Sequence, residues 1–238
     1  MTTTIMGRCE RTNRLGIGLA TNTLASGGLR FYHATPVGIV AHQSAGDFDL
    51  ARLGFRLLET GFSPDKIVAD LAASDRYPEY RQVGVLDRTG AGAASTGGKA
   101  APWNGHIVGD NCVAMVNSAS SEAVLRKMAD AFTRARGEDL DERLLRALEA
   151  ERDAGGQPQG QRSSFLVTFD REHYPLMDLR VDAHAEPVGE LRRIHALYKP
   201  YIPLYYYWRP KRPDVAPSQA QWVAGSRPPG SPPPGIPT

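Results

Sequence analysis

Short apolar runs divided by polar turns fill the first part of the chain. Three threonines, Thr2, Thr3 and Thr4, lead into Ile5-Met6-Gly7, and the polar turn Glu10-Arg11-Thr12-Asn13 leads into Leu15-Gly16-Ile17-Gly18-Leu19-Ala20. Runs at 15–19, 37–41, 82–87, 91–95 and 112–116 read as strands, with Asp87-Arg88-Thr89-Gly90 as a hairpin turn between two of them. Helical spacing interrupts this pattern. Leu50, Leu53, Leu57 and Leu58 share one helix that Gly61 ends, and Ser63-Pro64 supplies an N-cap and first-turn proline for the next, with Ile67, Val68 and Leu71. After Ser120, Val124, Met128, Ala131 and Phe132 face one way; Gly137 breaks the chain, and Leu140, Leu144, Leu145 and Leu148 continue. Asp139 and Glu142 resemble a capping box. Strands at 163–169 and 176–181 follow, then a helix from near Pro187 carrying Val188, Leu191, Ile194 and Leu197. Helix pairs grouped between strand groups predict layered sheets with helices outside, not βαβ alternation.

The composition shifts near Lys199. Tyr201, Tyr205, Tyr206, Tyr207 and Trp208 lie among prolines, and the end runs Arg227-Pro228-Pro229-Gly230-Ser231-Pro232-Pro233-Pro234. Residues 1–198 therefore read as one domain and 199–238 as an aromatic arm with a proline-rich, disordered tail. Prolines within the aromatic run argue for an extended arm over an ordinary amphipathic helix, and its rings suit a homo-oligomer interface.

At 238 residues, with 41% hydrophobic and 23% charged residues, the chain has an ordinary globular composition. A formal charge of +2 gives no reason to expect nucleic acid, and no run is long and apolar enough to suggest a membrane span. No basic region followed by an apolar stretch is visible near Met1, and two cysteines make no disulfide framework, so the expectation is a cytoplasmic protein with free, buried Cys9 and Cys112. The six histidines show no metal-binding spacing, so neither a metal nor a cofactor is expected. Gly16-Ile17-Gly18 lies inside a strand pattern, not at a strand-to-helix turn, and so does not point to a dinucleotide.

A small residue after Met1 favours removal of the initiator, which would leave Thr2 with a hydroxyl and a free α-amine on one residue. Such an amine, with a pKa of about 7.7–8.0, can accept the hydroxyl proton. On the residues alone, the favoured reading of Thr2 is a threonine that starts a strand. Asn117, at a strand-to-helix junction, either aims its amide at an oxyanion or caps a turn. His42 and Gln43 end one strand and can reach the neighbourhood of Thr2, or bond within a loop. Thr96 and Gly97 end another, where Gly97-Gly98 either present backbone N–H groups or turn the chain. Trp103 and His106 read as a pocket wall, and Asp182 and His184, two apart on an extended segment, as a hydrogen-bonded pair.

Several segments, in order, resemble the bacterial family known as domain of unknown function 1028, grouped with the N-terminal nucleophile (Ntn) hydrolases. They include Gly16 to Thr21, Val40-Ala41-His42-Gln43-Ser44-Ala45, Arg81-Gln82-Val83-Gly84-Val85, Thr96-Gly97, Pro102-Trp103-Asn104-Gly105-His106 and Asp178-Leu179-Arg180-Val181-Asp182-Ala183-His184. The resemblance implies an α+β fold, a four-layer αββα sandwich of two antiparallel sheets. It also implies that Thr2 is the nucleophile of an amidohydrolase cleaving a C–N bond, other than a peptide bond, in a small-molecule amide. The alternative is a non-catalytic small-ligand binder or oligomeric scaffold of the same fold. Two departures stand out: the loop commonly Gly-Gly-Asp-Arg-Arg-Gly-Arg-Gln-Ser-Ala reads Gly155-Gly156-Gln157-Pro158-Gln159-Gly160-Gln161-Arg162-Ser163-Ser164, and a common glycine is Val116.

Overall fold

Strand pairing organises residues 1–191 of the computed structural model, which describes residues 1–29 and 31–225. In chain order the elements are β1 (Thr2–Arg8), β2 (Leu15–Thr21), β3 (Tyr32–Thr35), β4 (Gly38–Ser44), α1 (Phe48–Glu59) and α2 (Pro64–Ser74). Then come β5 (Arg81–Asp87), β6 (Gly92–Thr96), β7 (Gly105–Gly109), β8 (Cys112–Asn117), α3 (Glu122–Arg134) and α4 (Leu140–Asp153). The series ends with β9 (Ser163–Phe169), β10 (Met177–Val181) and α5 (Pro187–Tyr198). One sheet has six strands in the order β10-β9-β2-β1-β8-β7, the other four in the order β3-β4-β5-β6, and every pairing is antiparallel.

Period-two alternation decides what each sheet face meets. Met6, Leu15, Ile17, Leu19, Val113, Met115, Phe165 and Val167 from the larger sheet pack with Ile39, Ala41 and Leu86 from the smaller. The other face of the smaller sheet offers Val40 and Val85 to Phe55 and Leu58 of α1 and Ile67 and Leu71 of α2. On the outer face of the larger sheet, a Cβ on Gly7 would lie 2.3 Å from the Phe132 ring, and one on Gly16 2.7 Å from Leu144. The glycines that recur in β1 and β2 thus let α3 and α4 approach the sheet.

The helix starts follow the sequence pattern in part. Asp47 accepts from the N–H groups of Asp49 and Leu50, and Ser63 caps α2 ahead of Pro64. Asp139 occupies the N-cap position of α4 without a side-chain cap bond, so the capping box does not form. Strands β3 and β7 are additions to the predicted set; both are edge strands with half-buried or exposed positions, defined by their partners' ladders more than by their own residues. β4 continues past Ala41 to Ser44 because its register with β5 extends to Arg81.

From Arg192 onward the chain forms a second unit. The aromatic segment is not an extended arm: it winds through a 3-10 turn (Lys199–Tyr201), a π turn (Pro203–Trp208) and an α turn (Arg209–Lys211). Pro200, Pro203 and Pro210 each fall in the first turn of one of these pieces, where a missing N–H breaks no helical bond. Leu204, Trp208 and Trp222 form a buried cluster, and the Trp222 indole donates to the Pro200 carbonyl at 3.0 Å. The proline-rich stretch at 227–234 lies outside the described residues.

Candidate active site

At one end of the two sheets the inward-facing positions turn from apolar to polar. In the larger sheet Thr2 lies directly across from Thr21 on one side and Asn117 on the other. Thr2 and Thr4 share the face of β1 that continues into the apolar core at Met6, while Thr3 points the opposite way. Across the gap the smaller sheet contributes Gln43, Gln82 and Thr96, whose Cα atoms are neighbours in the β4–β5–β6 ladders.

A continuous set of hydrogen bonds joins these groups. Thr4 donates to Gln43 Oε1 at 2.6 Å, and Gln43 Nε2 donates to the Thr2 carbonyl at 3.2 Å and to Gln82 Oε1 at 2.9 Å. Asn117 Nδ2 donates to the same Gln82 oxygen at 2.9 Å. Gln82 Nε2 lies 2.9 Å from the Val116 carbonyl, 3.3 Å from the Gly105 carbonyl and 3.0 Å from Thr96 Oγ1. Thr96 Oγ1 is 2.8 Å from His106 Nδ1. Since Thr96 accepts from Gln82, its single hydroxyl proton suits the ring nitrogen, which makes His106 a neutral acceptor there. Partial desolvation of the ring lowers the His106 pKa and favours the same neutral form.

Thr2 Oγ1 lies 3.1 Å from Thr21 Oγ1, which also bonds the Met1 carbonyl. Thr2 is 4% exposed and Asn117 1%. The residue after two of the three inward-facing amides has a left-handed backbone: Ser44 follows Gln43 with φ 68°, and Ser118 follows Asn117 with φ 52°. For a residue with a Cβ, such conformations cost about 1–3 kcal/mol each.

Not every candidate residue joins this cluster. His42 lies on the opposite face of β4 from Gln43, because successive strand residues point to opposite sides. Its ring packs edge-on against Phe48 at 5.0 Å and borders a cavity of about 20 Å³ with Asp47, Leu50, Leu71, Asp75 and Arg81. Gly97 sits beyond Thr96, but its N–H is bonded to the Arg81 carbonyl at 2.9 Å. Its lack of a side chain serves packing: a Cβ there would lie 2.3 Å from the Glu79 carbonyl oxygen. Trp103 exchanges backbone bonds with Ala119, and its ring would lie 3.1 Å from a Cβ on Gly105. Asp182 and His184 fall beyond the end of β10, where His184 Nδ1 accepts from the Glu186 N–H at 3.0 Å.

The variant loop closes over this end of the larger sheet. Ser120 N–H bonds the Gly156 carbonyl at 3.0 Å, Arg162 N–H the Thr21 carbonyl at 2.8 Å, and Asn22 Nδ2 the carbonyls of Gln159 and Gly160 at 3.2 and 3.0 Å. Behind β1, Glu151 of α4 is fully buried, and its Oε1 accepts from Thr3 at 3.1 Å and Gln161 at 2.5 Å. Burial pushes its carboxyl up to about 7, against the opposing effect of those two donors. Gln82, Thr21 and Glu151 join or back the cluster without having been expected at a site. The available signals were a glutamine in inward register with Gly84 and Leu86, and a glutamate three residues beyond Leu148 on the buried stripe of α4.

Cys9 and Cys112 are both free and buried. Among the described residues no group of three or more His, Cys, Asp or Glu side chains is arranged to hold a metal ion, and no helix is long and apolar enough to cross a membrane.

The cluster thus sits in an α+β chain of two antiparallel sheets. The chain belongs to the family described as a family of unknown function (DUF1028), whose model matches residues 2–191. A family member from Silicibacter pomeroyi, known from its crystal structure, is similar over 83% of this chain and 89% of its own, with 26% identity and a TM-score of 0.76. Two Anbu structures score lower. Anbu (ancestral beta-subunit) from Yersinia bercovieri is 10% identical with a TM-score of 0.42, and covers 82% of this chain and 93% of its own. Anbu from Hyphomicrobium sp. strain MC1 is 12% identical with a TM-score of 0.41, again with 82% and 93% covered. Scores at that level do not establish a shared fold. No curated protein matches the chain.

Proposed function

We propose that this protein is an amidohydrolase of the N-terminal nucleophile type, with an αββα sandwich and with Thr2 as nucleophile once Met1 is removed. One observation carries the reading: Thr2 lies opposite Asn117 on adjacent strands, at the polar end of an otherwise apolar gap between sheets. The positive φ angles at Ser44 and Ser118 add support, since strained backbone of this kind concentrates at functional sites.

In this mechanism the α-amine of Thr2 takes the Oγ1 proton as that oxygen attacks the carbonyl carbon of a small amide. The oxyanion of the tetrahedral adduct accepts from the Asn117 amide. The C–N bond then breaks, the leaving nitrogen takes the proton from the α-ammonium, and an acyl ester remains on Thr2. Water, deprotonated by the same amine, attacks the ester, releases the acid and restores the hydroxyl. Thr2 supplies both nucleophile and base, so the mechanism needs neither His42 nor His106.

Intact-mass measurement, N-terminal sequencing and a screen of small amides test the proposal. A chain beginning at Thr2, inactive as Thr2→Ala and partly active as Thr2→Ser, is expected. Retention of Met1, or equal rates for wild type and Thr2→Ala on one substrate, overturns it.

A different observation favours the non-catalytic reading, a ligand-binding or scaffold protein of the same fold: with Met1 in place, Thr2 and Asn117 are nearly inaccessible. A chain that keeps Met1 and hydrolyses nothing in the screen is the outcome expected of that reading.

A further inference from the structure

We infer that Gln82 is a positioning residue: it fixes which atom of Asn117 faces the centre of the cluster, and so makes Asn117 a donor there. The polarity of a side-chain amide is set by what it cannot avoid meeting. Gln82 meets two backbone carbonyls, Val116 at 2.9 Å and Gly105 at 3.3 Å, and these only accept. Its nitrogen must therefore point toward them, which turns Oε1 toward Gln43 and Asn117. Gln43 is fixed a second time, because its nitrogen also meets the Thr2 carbonyl while its oxygen takes the Thr4 hydroxyl. For Asn117, the only side-chain partner in the cluster is the Gln82 oxygen. Its Nδ2 must donate to that oxygen, which keeps a further hydrogen on the same nitrogen at this end of the sheets.

Gln82 is fully buried and lies across the gap from Thr2, on a different sheet, so it acts through Asn117 and Gln43. The orientation of Asn117 follows from these contacts alone. Its catalytic consequence rests on the Thr2 reading above.

Three proteins decide the matter: wild type, Gln82→Met, which is close in shape and has no acceptor facing Asn117, and Gln82→Glu, which as a neutral acid keeps an oxygen there and turns its O–H toward the Val116 carbonyl. Side-chain amide hydrogen exchange of Asn117, read by ¹⁵N NMR at pH 6, reports the orientation without any substrate. The expected result is a protected Asn117 N–H in wild type and Gln82→Glu, and exchange at least about 10-fold faster in Gln82→Met. On a substrate found in the amide screen, kcat should fall on the order of 10² in Gln82→Met, with KM little changed, and recover largely in Gln82→Glu. A purely structural role would not separate the two variants in this way. Unchanged Asn117 exchange in Gln82→Met overturns the inference, as does an unprotected Asn117 amide in wild type should that variant fail to fold. If Thr2→Ala proves silent, the catalytic reading fails by itself and the exchange result still decides the orientation.

Discussion

Thr3 donates its hydroxyl to Glu151 Oε1 over 3.1 Å, on the face of β1 turned away from Thr2. The carboxyl has no exposure, its Oε2 has no hydrogen-bond partner among the described residues, and the donors Thr3 and Gln161 are neutral. An uncharged carboxylic acid suits that setting better than a carboxylate. One residue therefore ties the start of β1 to α4, next to the proposed nucleophile.

Stability should accordingly depend on pH through Glu151. Its folded-state pKa, about 7, is raised from 4.5, so the contribution is fully present below pH 4.5 and is lost as pH rises through 7. The loss amounts to about 3 kcal/mol across that window. Melting curves at pH 5, 6, 7 and 8 should show a decline in wild type that Glu151→Gln largely flattens. Parallel declines in both proteins would mean that Glu151 titrates as an ordinary glutamate.

Asn117→Ala should separate catalysis from folding. Gln82 Oε1 keeps Gln43 as a donor when Asn117 is removed, so no acceptor is orphaned and the stability loss should be near 1 kcal/mol. On a confirmed substrate kcat should drop by roughly 10²–10³. A large fall in melting temperature with a matching loss of activity would support the turn-capping role instead.

Gly97→Ala should destabilise the smaller sheet without touching the cluster chemistry. The new Cβ would lie 2.3 Å from the Glu79 carbonyl oxygen, a backbone atom that cannot swing aside as a side chain can. Overpacking of this kind costs about 3 kcal/mol, or roughly 6–12 °C in a domain of this size. Calorimetry gives the answer directly, and an unchanged melting temperature would mean that the turn at Pro78–Tyr80 yields freely.

Trp222→Ala should loosen the aromatic turns. The indole fills the cluster with Leu204 and Trp208 and bonds the Pro200 carbonyl, and loss of a buried tryptophan costs about 3–5 kcal/mol. Limited proteolysis should then cut faster within residues 199–211, and identical cleavage rates would show that the cluster does not hold those turns together.

Local chemistry made much of this protein legible from its sequence. The short apolar runs of β1, β2 and β8, the cap Ser63 ahead of Pro64, and the leucine stripes of α1 and α4 are short-range signals, and the grouping of strands and helix pairs follows from them. Thr2, Asn117, Gln43, Thr96 and His106 were also readable, as polar residues at strand ends or beside them. Their assembly was not. A strand's side chains alternate between faces, so whether His42 or Gln43 enters the gap depends on register, and that is set by β5. Edge strands β3 and β7 owe their existence to partners distant in sequence, and the prolines of the aromatic run became helix starts only where each met the first turn of a new piece. Gln82 and Glu151 acquired their importance only through burial. A glutamine in a strand and a glutamate in a helix are ordinary letters until folding removes the water that would otherwise satisfy them. The neighbours that then take the place of that water (Asn117 and Gln43 for the first, Thr3 and Gln161 for the second) are chosen by tertiary structure alone.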